Sequence, residues 1–277
     1  MKKTHFNPFW LLVILLLTIF SIFFCLPFFW MLATSLRSPL VSFRLPPAII
    51  PTTFDISNYK LLFEKVRYLA FFQNSVYVSV MTTIIQAFVC TMAAYAFSRL
   101  NFPGKNMIFI LFLTAMMIPV QVTTIPRFIF MSKLRLINTH MALILPALYS
   151  ALGIFLLRQH MLTIPKSYDE AAYIDGAGRI WTFAKIIVPM SKPSIVVIAV
   201  MTFINTWNDF FNPLIYINSR AKMTIPLGIT QITGSFNSGN QGAVIAAVML
   251  SLIPPLLFYI IGQRWLMRGI AIGGIKG

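Results

Sequence analysis

The chain has 277 residues, of which 58% are hydrophobic and 10% are charged, and its mean hydropathy is +0.81. Soluble domains carry about 25% charged residues, so this composition excludes a soluble globular protein and indicates a chain that lies in lipid. The net charge is +16, but the basic residues are spread over every loop and form no patch interleaved with aromatic residues. We therefore expect contact with anionic lipid headgroups and no binding of nucleic acid.

The first predicted element is the apolar run 9–33, which follows Lys2 and Lys3. Basic residues before an apolar run also mark a signal peptide. This run is too long for a cleaved signal, and no small-x-small cleavage site follows it cleanly. We predict a retained membrane anchor.

Five further stretches are long enough to cross a membrane, since a transmembrane helix needs about 20 mainly apolar residues. Backbone amides in lipid must bond within their own segment, so these stretches should be helices. The predicted spans are 9–33, 72–97, 107–131, 141–160, 194–217 and 243–264. The predicted fold is an all-α membrane protein with six transmembrane helices in a single domain, 1–277. Both termini would lie on one side, and slightly more Lys and Arg on that face favours a cytoplasmic location.

Polar residues in the third and fifth predicted spans are candidates for a transport pathway, because polar groups in lipid are costly and often functional. Asp209 is the only carboxylate within a predicted span, and it lies close to Asn205 and Asn208. In the third span, Gln121 and Thr124 lie near two prolines that should kink the helix. The alternative for all five residues is hydrogen bonding within or between helices, or pairing of Asp209 with a loop arginine.

A polar insert, 165–190, separates the fourth and fifth predicted spans and holds three of the six acidic residues, Asp169, Glu170 and Asp175. Ser167, followed three residues later by Glu170, matches a capping box, which would satisfy two backbone N–H groups at a helix start. We predict a helix over 168–176.

The insert should contain two helices, because Gly176 and Gly178 are suitable C-terminal stops and a second helical pattern follows over 180–188, ended by Pro189. The capping box explains Glu170 without any partner. It does not explain an insert of this length, since connections between packed helices usually have about two to eight residues. The small side chains of Ala171 and Ala172 would let another protein approach closely, so we favour a docking role.

The insert resembles a known signature. Glu170-Ala171-Ala172, Gly176, Ile186 and Val188-Pro189 are similar to the pattern E-A-A-x3-G-x9-I-x-L-P of ABC importer permeases, with Val188 in place of leucine. Segments 94–99, 102–105 and 273–277 are similar to the first cytoplasmic loop and the C-terminal tail of carbohydrate permeases. The chain resembles the maltose-type permease family over nearly its whole length.

This resemblance implies a permease subunit of an ATP-driven, binding-protein-dependent sugar importer in a bacterial or archaeal cell membrane, with cytoplasmic termini. The implied partners are a second permease subunit, two cytosolic ATPase subunits, an extracytoplasmic solute-binding protein, the sugar and membrane lipid. The residues implied in coupling to the ATPase are Glu170, Ala171, Ala172, Asp175, Gly176, Ala177 and Pro189, with a further contact from Lys276 and Gly277.

Other functions lack sequence support. The chain has no G-x4-G-K-[ST] phosphate loop, so ATP and Mg²⁺ would belong to the partner ATPase, and we expect neither enzyme activity nor a cofactor. His5, His140 and His160 form no H-E-x-x-H pair, and Cys25 and Cys90 have no metal-binding spacing. An ion-coupled secondary transporter would usually need several carboxylates within its spans, and a non-transporting scaffold would not need the insert.

Overall fold

The computed structural model describes residues 8–38, 54–235 and 241–274, which are helical and contain no strand. The first α-helices in chain order are α1 (Pro8–Ser35), α2 (Ser57–Lys65), α3 (Tyr68–Arg99), α4 (Lys105–Thr114), α5 (Thr124–Lys133), α6 (Met141–Ile144) and α7 (Ala151–Thr163). They are followed by α8 (Ser167–Ile174), α9 (Arg179–Thr182), α10 (Val188–Met190), α11 (Lys192–Trp207), α12 (Phe211–Tyr216), α13 (Ile225–Ser235) and α14 (Gln241–Gly274).

Three helices in the described ranges are long and apolar enough to cross a membrane, namely Phe9–Ser35, Tyr68–Arg99 and Gln241–Trp265. They correspond to the first, second and sixth predicted spans. Each is continuous, although α1 contains Pro27 and α14 contains Pro254 and Pro255.

The third and fourth predicted spans are each a pair of helices joined by a bend. The bend in the third span lies at Pro119, where a kink was expected, whereas no bend was predicted in the fourth span. Lys105–Met117 meets Val120–Lys133 at 96°, and Met141–Ala147 meets Ala151–Thr163 at 41°. The first bend arises because Pro119 disfavours helical geometry at Ile118, which is extended (φ −82°, ψ 117°).

The fifth predicted span, 194–217, is also interrupted. α11 ends at Trp207 and α12 begins at Phe211, and α11 itself meets the preceding segment Arg179–Met190 at 76°. Pro213 explains the interruption, since it has no N–H to donate to the carbonyl of Asp209 and its ring would clash with that carbonyl in a continuous helix.

The chain forms two compact units. The first comprises Met1–Tyr68 and Ile229–Leu252, and the second comprises Leu69–Gly228 and Ile253–Gly277. In the first unit, Asn58 Nδ2 donates to the carbonyls of Ser35 (3.0 Å) and Arg37 (2.7 Å), which satisfies backbone groups at the end of α1.

Asp55 organises the start of α2 within the first unit. Its Oδ1 accepts hydrogen bonds from the hydroxyl and the backbone N–H of Ser57. These two bonds and the nearby charge of Lys60 lower the pKa of Asp55 below its usual value. The stabilisation that they provide is present above the ordinary carboxyl pKa and is lost as the pH falls through the lowered value.

An apolar core in the second unit supports the polar insert. It joins α3, α4 and α7 to the segment that leads into α11, and its buried members are Cys90, Ala94, Phe109, Ile154, Leu157, Met161, Ile164, Ile187 and Ile198. Because Ile164 immediately precedes the insert and Ile187 lies near its end, both ends of the insert are fixed in this core.

Replacing Gly228 by alanine is expected to lower the free energy of unfolding by about 1–3 kcal/mol, the usual cost of overpacking. An added Cβ would clash with Cδ2 of Phe71, a fully buried ring in the same unit. The measurement is the thermal unfolding midpoint of the purified chain in detergent. Gly228→Ala should cost less in a Phe71→Leu background, and an equal loss in both backgrounds would contradict this packing argument.

Candidate functional site

The first helix of the insert, α8, begins one residue earlier than the predicted 168, and its capping residue is Lys166, which provides no side-chain cap. The N–H groups of Tyr168 and Glu170 point to the carbonyls of Pro165 (3.4 Å) and Lys166 (3.1 Å). Pro165 thus starts the helical turn, since its ring fixes a φ compatible with a helix. Ser167 is therefore already helical, and the predicted capping box was wrong.

Glu170 consequently needs another explanation than capping. It lies in the first turn of α8, where a negative charge is favourable near the helix N-terminus, and its side chain is exposed. No intramolecular contact explains this carboxylate within the described part of the chain.

The end of α8 confirms the role predicted for Gly176 as a stop. Gly176 has φ +77°, its N–H donates to Tyr173 O (3.0 Å), and the N–H of Ala177 donates to Ala172 O (2.8 Å). This pair of bonds is a Schellman motif, which favours glycine at the left-handed position. Gly178, by contrast, precedes α9 with φ −74° and ψ 161°, so the prediction of a second stop was wrong.

The second helical segment of the insert runs over Arg179–Met190 and includes Pro189, so the predicted end at residue 188 was also wrong. Its middle part, Phe183–Ile187, is a π-helix, and Pro189 lies in the first turn of the following α10. The wider π turn accommodates a residue that cannot donate a backbone hydrogen bond, and proline is tolerated in the first turn of a helix.

Arg99 joins α8 to the membrane-spanning helices. Its side chain is 6% exposed, and its Nη1 lies 3.0 Å from Oδ2 of Asp169. The geometry is that of an ion pair without a well-directed hydrogen bond, because that oxygen has no hydrogen-bond partner among the described atoms. Arg99 Nη2 donates to the carbonyls of Met161 (2.8 Å) and Ile164 (2.7 Å) at the end of α7. One guanidinium therefore connects α3, α7 and α8.

Arg99 has no role predicted from the sequence. Its partners lie more than sixty residues away in the chain, so no local spacing identifies them. The available signal was weaker: an arginine that ends a long apolar helix and an acidic residue, Asp169, beside the signature Glu170.

Two cavities flank α8, and they separate the predicted coupling residues. A cavity of about 460 Å³ is lined by Arg99, Lys166, Asp169, Glu170 and Arg179, among others. A cleft of about 520 Å³ is lined by Tyr168, Ala171, Ala172, Asp175, Gly176, Ala177, Gly178, Trp181 and Ile186. Ala171, Ala172, Asp175, Gly176 and Ala177 thus meet at one cleft, whereas Glu170 lines the other cavity and Pro189 lines neither of the two.

The tip of the insert exposes large apolar side chains. Tyr173, Ile174 and Ile180 are 82%, 83% and 84% exposed, and Trp181 also projects outward. Tyr173 and Ile174 lie at the end of α8, and Ile180 and Trp181 lie in α9. An apolar group at the tip of a polar loop is typical of a surface that another protein covers.

The five predicted pathway residues are not brought together. Gln121, Asn205 and Asn208 are exposed. Asn208 Nδ2 donates to Ile204 O (2.9 Å), and Thr124 Oγ1 donates to Val120 O (3.3 Å), which is the local hydrogen bonding expected as the alternative.

Of the five, Asp209 lines a cavity of about 310 Å³. Its Oδ1 and Oδ2 accept from the backbone N–H (3.2 Å) and the Nδ2 (2.7 Å) of Asn212.

Lys276 and Gly277 lie outside the described residues. The described ranges contain no group of three or more His, Cys, Asp or Glu side chains able to hold a metal ion.

Relatives of the chain are transport proteins. It is 33% identical to the arabinooligosaccharides transport system permease protein AraQ of Halalkalibacterium halodurans over 228 residues, which cover 82% of this chain and 81% of that protein. It is 32% identical to the trehalose/maltose transport system permease protein MalG of Thermococcus litoralis over 263 residues, with 91% of both chains covered.

The fold is that of a solved transporter chain. A structure of a bacterial ABC transporter involved in the import of the acidic polysaccharide alginate matches with a TM-score of 0.81 at 20% identity, covering 95% of this chain and 98% of that one. A family model for the inner membrane component of binding-protein-dependent transport systems matches residues 86–272, the greater part of the chain and the whole of the insert. The chain therefore belongs to the family of binding-protein-dependent transport system inner membrane components.

Proposed function

We propose that this chain is the permease subunit of an ATP-driven sugar importer and forms half of a translocation pathway with a second permease subunit. The observation that carries the proposal is the insert 165–190, where α8 is anchored on one side by Arg99 and exposes Tyr173 and Ile174 on the other. Family membership supports it, since such systems combine a membrane component with separate solute-binding and ATP-hydrolysing subunits.

In this proposal α8 is the coupling helix and docks on a cytosolic ATPase subunit. Ala171 and Ala172 allow a close approach along the cleft of α8, and the exposed Tyr173 and Ile174 supply apolar contact. Glu170 is free to pair with a basic group of the ATPase. A partner that covers these side chains would remove the exposed apolar surface that the insert presents.

Arg99 gives the docked helix a mechanical connection to the pathway. Because its guanidinium binds Asp169 in α8 and two carbonyls at the end of α7, displacement of α8 by the closing ATPases pulls directly on α7 and α3. ATP would be bound and hydrolysed by two ATPase subunits, and this chain would contribute no catalytic residue.

The proposed topology has six membrane crossings in one domain, with both termini and the insert in the cytoplasm of a bacterial or archaeal cell. Three crossings are the continuous helices, two are the bent pairs that contain α4 with α5 and α6 with α7, and the fifth in chain order is α11 together with α12. Interrupted helices are tolerated in lipid where the freed backbone groups are buried in protein or line a cavity. A second ATPase contact through Lys276 and Gly277 completes the proposed set of coupling residues.

The proposed substrate is a sugar or short oligosaccharide, delivered by an extracytoplasmic solute-binding protein. The similar permeases from Halalkalibacterium and Thermococcus carry arabinooligosaccharides and trehalose or maltose in their names. Their identity to this chain extends over the insert and most of the spans, which supports a common class of substrate.

The test is reconstitution in proteoliposomes with the second permease, the ATPase and the solute-binding protein of the same transport system. Labelled arabinotriose and maltose are the probes, and ATP is supplied on the cytoplasmic side. We expect uptake that requires ATP and every partner. Uptake by this chain alone, driven by a proton or sodium gradient, would replace the importer with a secondary transporter.

A further inference from the structure

Three interrupted helices meet at one cavity. The cavity of about 310 Å³ is bordered by Val120, which follows the break at Pro119, by Ala147 and Tyr149 at the break before α7, and by Asp209 and Asn212 at the break between α11 and α12. Non-helical backbone at membrane depth occurs where it is buried in protein or lines a cavity, and transporters place substrate sites at such discontinuous helices.

A buried glutamine on α3, Gln86, holds one of these breaks in place. Gln86 Nε2 donates to the carbonyl of Ala147 (2.8 Å), and the hydroxyl of Thr202 in α11 donates to Gln86 Oε1. A carbonyl freed by the break is thereby satisfied by a side chain from another helix. The break is a fixed feature of the fold, so the cavity that it borders is preformed.

The cavity contains polar groups that the protein itself leaves without a partner. Thr224 is 4% exposed, and its Oγ1 is buried with no hydrogen bond among the described atoms. Such a hydroxyl is costly unless something polar occupies the cavity. Arg127 is half-buried, and its Nη2 donates a long hydrogen bond to Thr123 Oγ1 at 3.4 Å.

The charges in the cavity balance. Asp209 supplies a carboxylate whose position is fixed by Asn212, and Arg127 supplies a guanidinium with further N–H donors. A cavity with one fixed anion and one cation favours a neutral ligand that both donates and accepts hydrogen bonds. Tyr149, which is about half exposed, adds an aromatic face beside them.

We propose that this cavity is a binding subsite for one ring of a neutral sugar within this subunit. This deepens the proposed function and rests on it. Ring hydroxyls would donate to Asp209 and accept from Arg127 and Thr224, while Tyr149 covers an apolar face of the ring. The volume of about 310 Å³ lies at the lower limit of typical ligand pockets, which suits one ring of a longer oligosaccharide.

The test uses a thiol inside the cavity. The full-length chain with Thr224→Cys and Cys25→Ser is purified, and its modification by a small methanethiosulfonate reagent is timed with and without arabinotriose or maltose. The background with Cys25→Ser alone reports on the buried Cys90. We expect both neutral sugars to slow the modification. If Thr224→Cys fails to yield a monodisperse protein, Thr206→Cys on the same cavity serves instead.

Variants of the charged residues show whether protection comes from sugar bound in the cavity or from a general effect of sugar in solution. Arg127→Gln and Asp209→Asn should each raise the half-protecting sugar concentration about tenfold, the effect of losing one charge-assisted hydrogen bond. Arg220→Gln, an exposed arginine that does not line the cavity, should leave it unchanged. Glycerol and galacturonate, the uncharged and anionic comparators, should protect less than the neutral sugars.

The outcomes distinguish this proposal from the importer proposal. Absence of protection, or equal protection by glycerol, overturns the subsite even if the complete complex imports sugar. Stronger protection by galacturonate than by the neutral sugars overturns the neutral-ring assignment. Protection that weakens in Arg127→Gln and Asp209→Asn supports the subsite even if reconstituted ATP-driven import fails, and that failure then counts against the importer proposal alone.

Discussion

Replacing Arg99 by methionine is expected to abolish ATP-driven import and to lower the free energy of unfolding by about 3 kcal/mol. Methionine replaces the aliphatic part of the arginine side chain but has no guanidinium. It therefore leaves the carboxylate of Asp169 without its cation and two carbonyls at the end of α7 without a donor. We use the lower end of the range for breaking a buried ion pair because the side chain of Asp169 is 26% exposed.

The stability effect is measured by thermal unfolding of the purified chain, and the functional effect by uptake into proteoliposomes. Arg179→Met is the matched control, because Arg179 is exposed and lines the same cavity of about 460 Å³. A surface change of this kind should alter stability by no more than about 0.5 kcal/mol. Equal destabilisation by the two variants would contradict the assigned role of Arg99.

A double variant separates the loss of the connection between α8 and α7 from the loss of folding stability. Removing both partners of a buried pair is often nearly neutral, so Arg99→Met combined with Asp169→Leu should recover much of the lost stability. Import should stay low, because no side chain then joins α8 to α7. Recovery of import together with stability would show that Arg99 supports folding and does not transmit motion.

Local pattern predicted the parts of the structure that depend on local interactions. The left-handed stop at Gly176 followed from residue type and spacing, and α1, α3 and α14 followed from long apolar runs. The capping box at Ser167 had the right pattern but failed, because Pro165 begins the helical turn earlier.

The sequence predicted a kink at the prolines of the third span, but it did not predict the breaks in the fourth and fifth spans. Proline alone does not decide them, since Pro27 and Pro254 lie inside continuous helices while Pro119 and Pro213 accompany breaks. What stabilises a break is a distant donor, such as Gln86 at the carbonyl of Ala147. The connection through Arg99 has the same character, because its three partners come together only in the folded chain.

Replacing Gly176 by aspartate is expected to leave the membrane helices folded and to weaken association with the ATPase at least about tenfold, since an unpaired charge buried at an interface costs more than 1.4 kcal/mol. A Cβ at Gly176 would meet no atom within 4 Å, and φ there is +77°. Aspartate tolerates this left-handed conformation better than most residues, so the cost to the isolated chain should be about 1 kcal/mol.

The damage arises at the docking surface. The new carboxylate would project at the cleft formed by Ala171, Ala172 and Asp175, where a partner must approach closely. It would also add negative charge at the C-terminal end of α8, where the helix dipole already disfavours it. Association is measured by titrating purified ATPase against the chain in nanodiscs, with unfolding midpoints recorded in parallel.

Gly104→Asp provides the control, because Gly104 shares the left-handed conformation (φ +75°) but precedes α4, outside the insert. It should melt near the wild type and bind the ATPase equally well. Gly176→Asn adds the same bulk without charge, so its affinity should lie between those of wild type and Gly176→Asp. If Gly104→Asp and Gly176→Asp weaken the ATPase equally, α8 is not the docking helix; if Gly176→Asn binds as poorly as Gly176→Asp, close approach to the backbone matters more than charge.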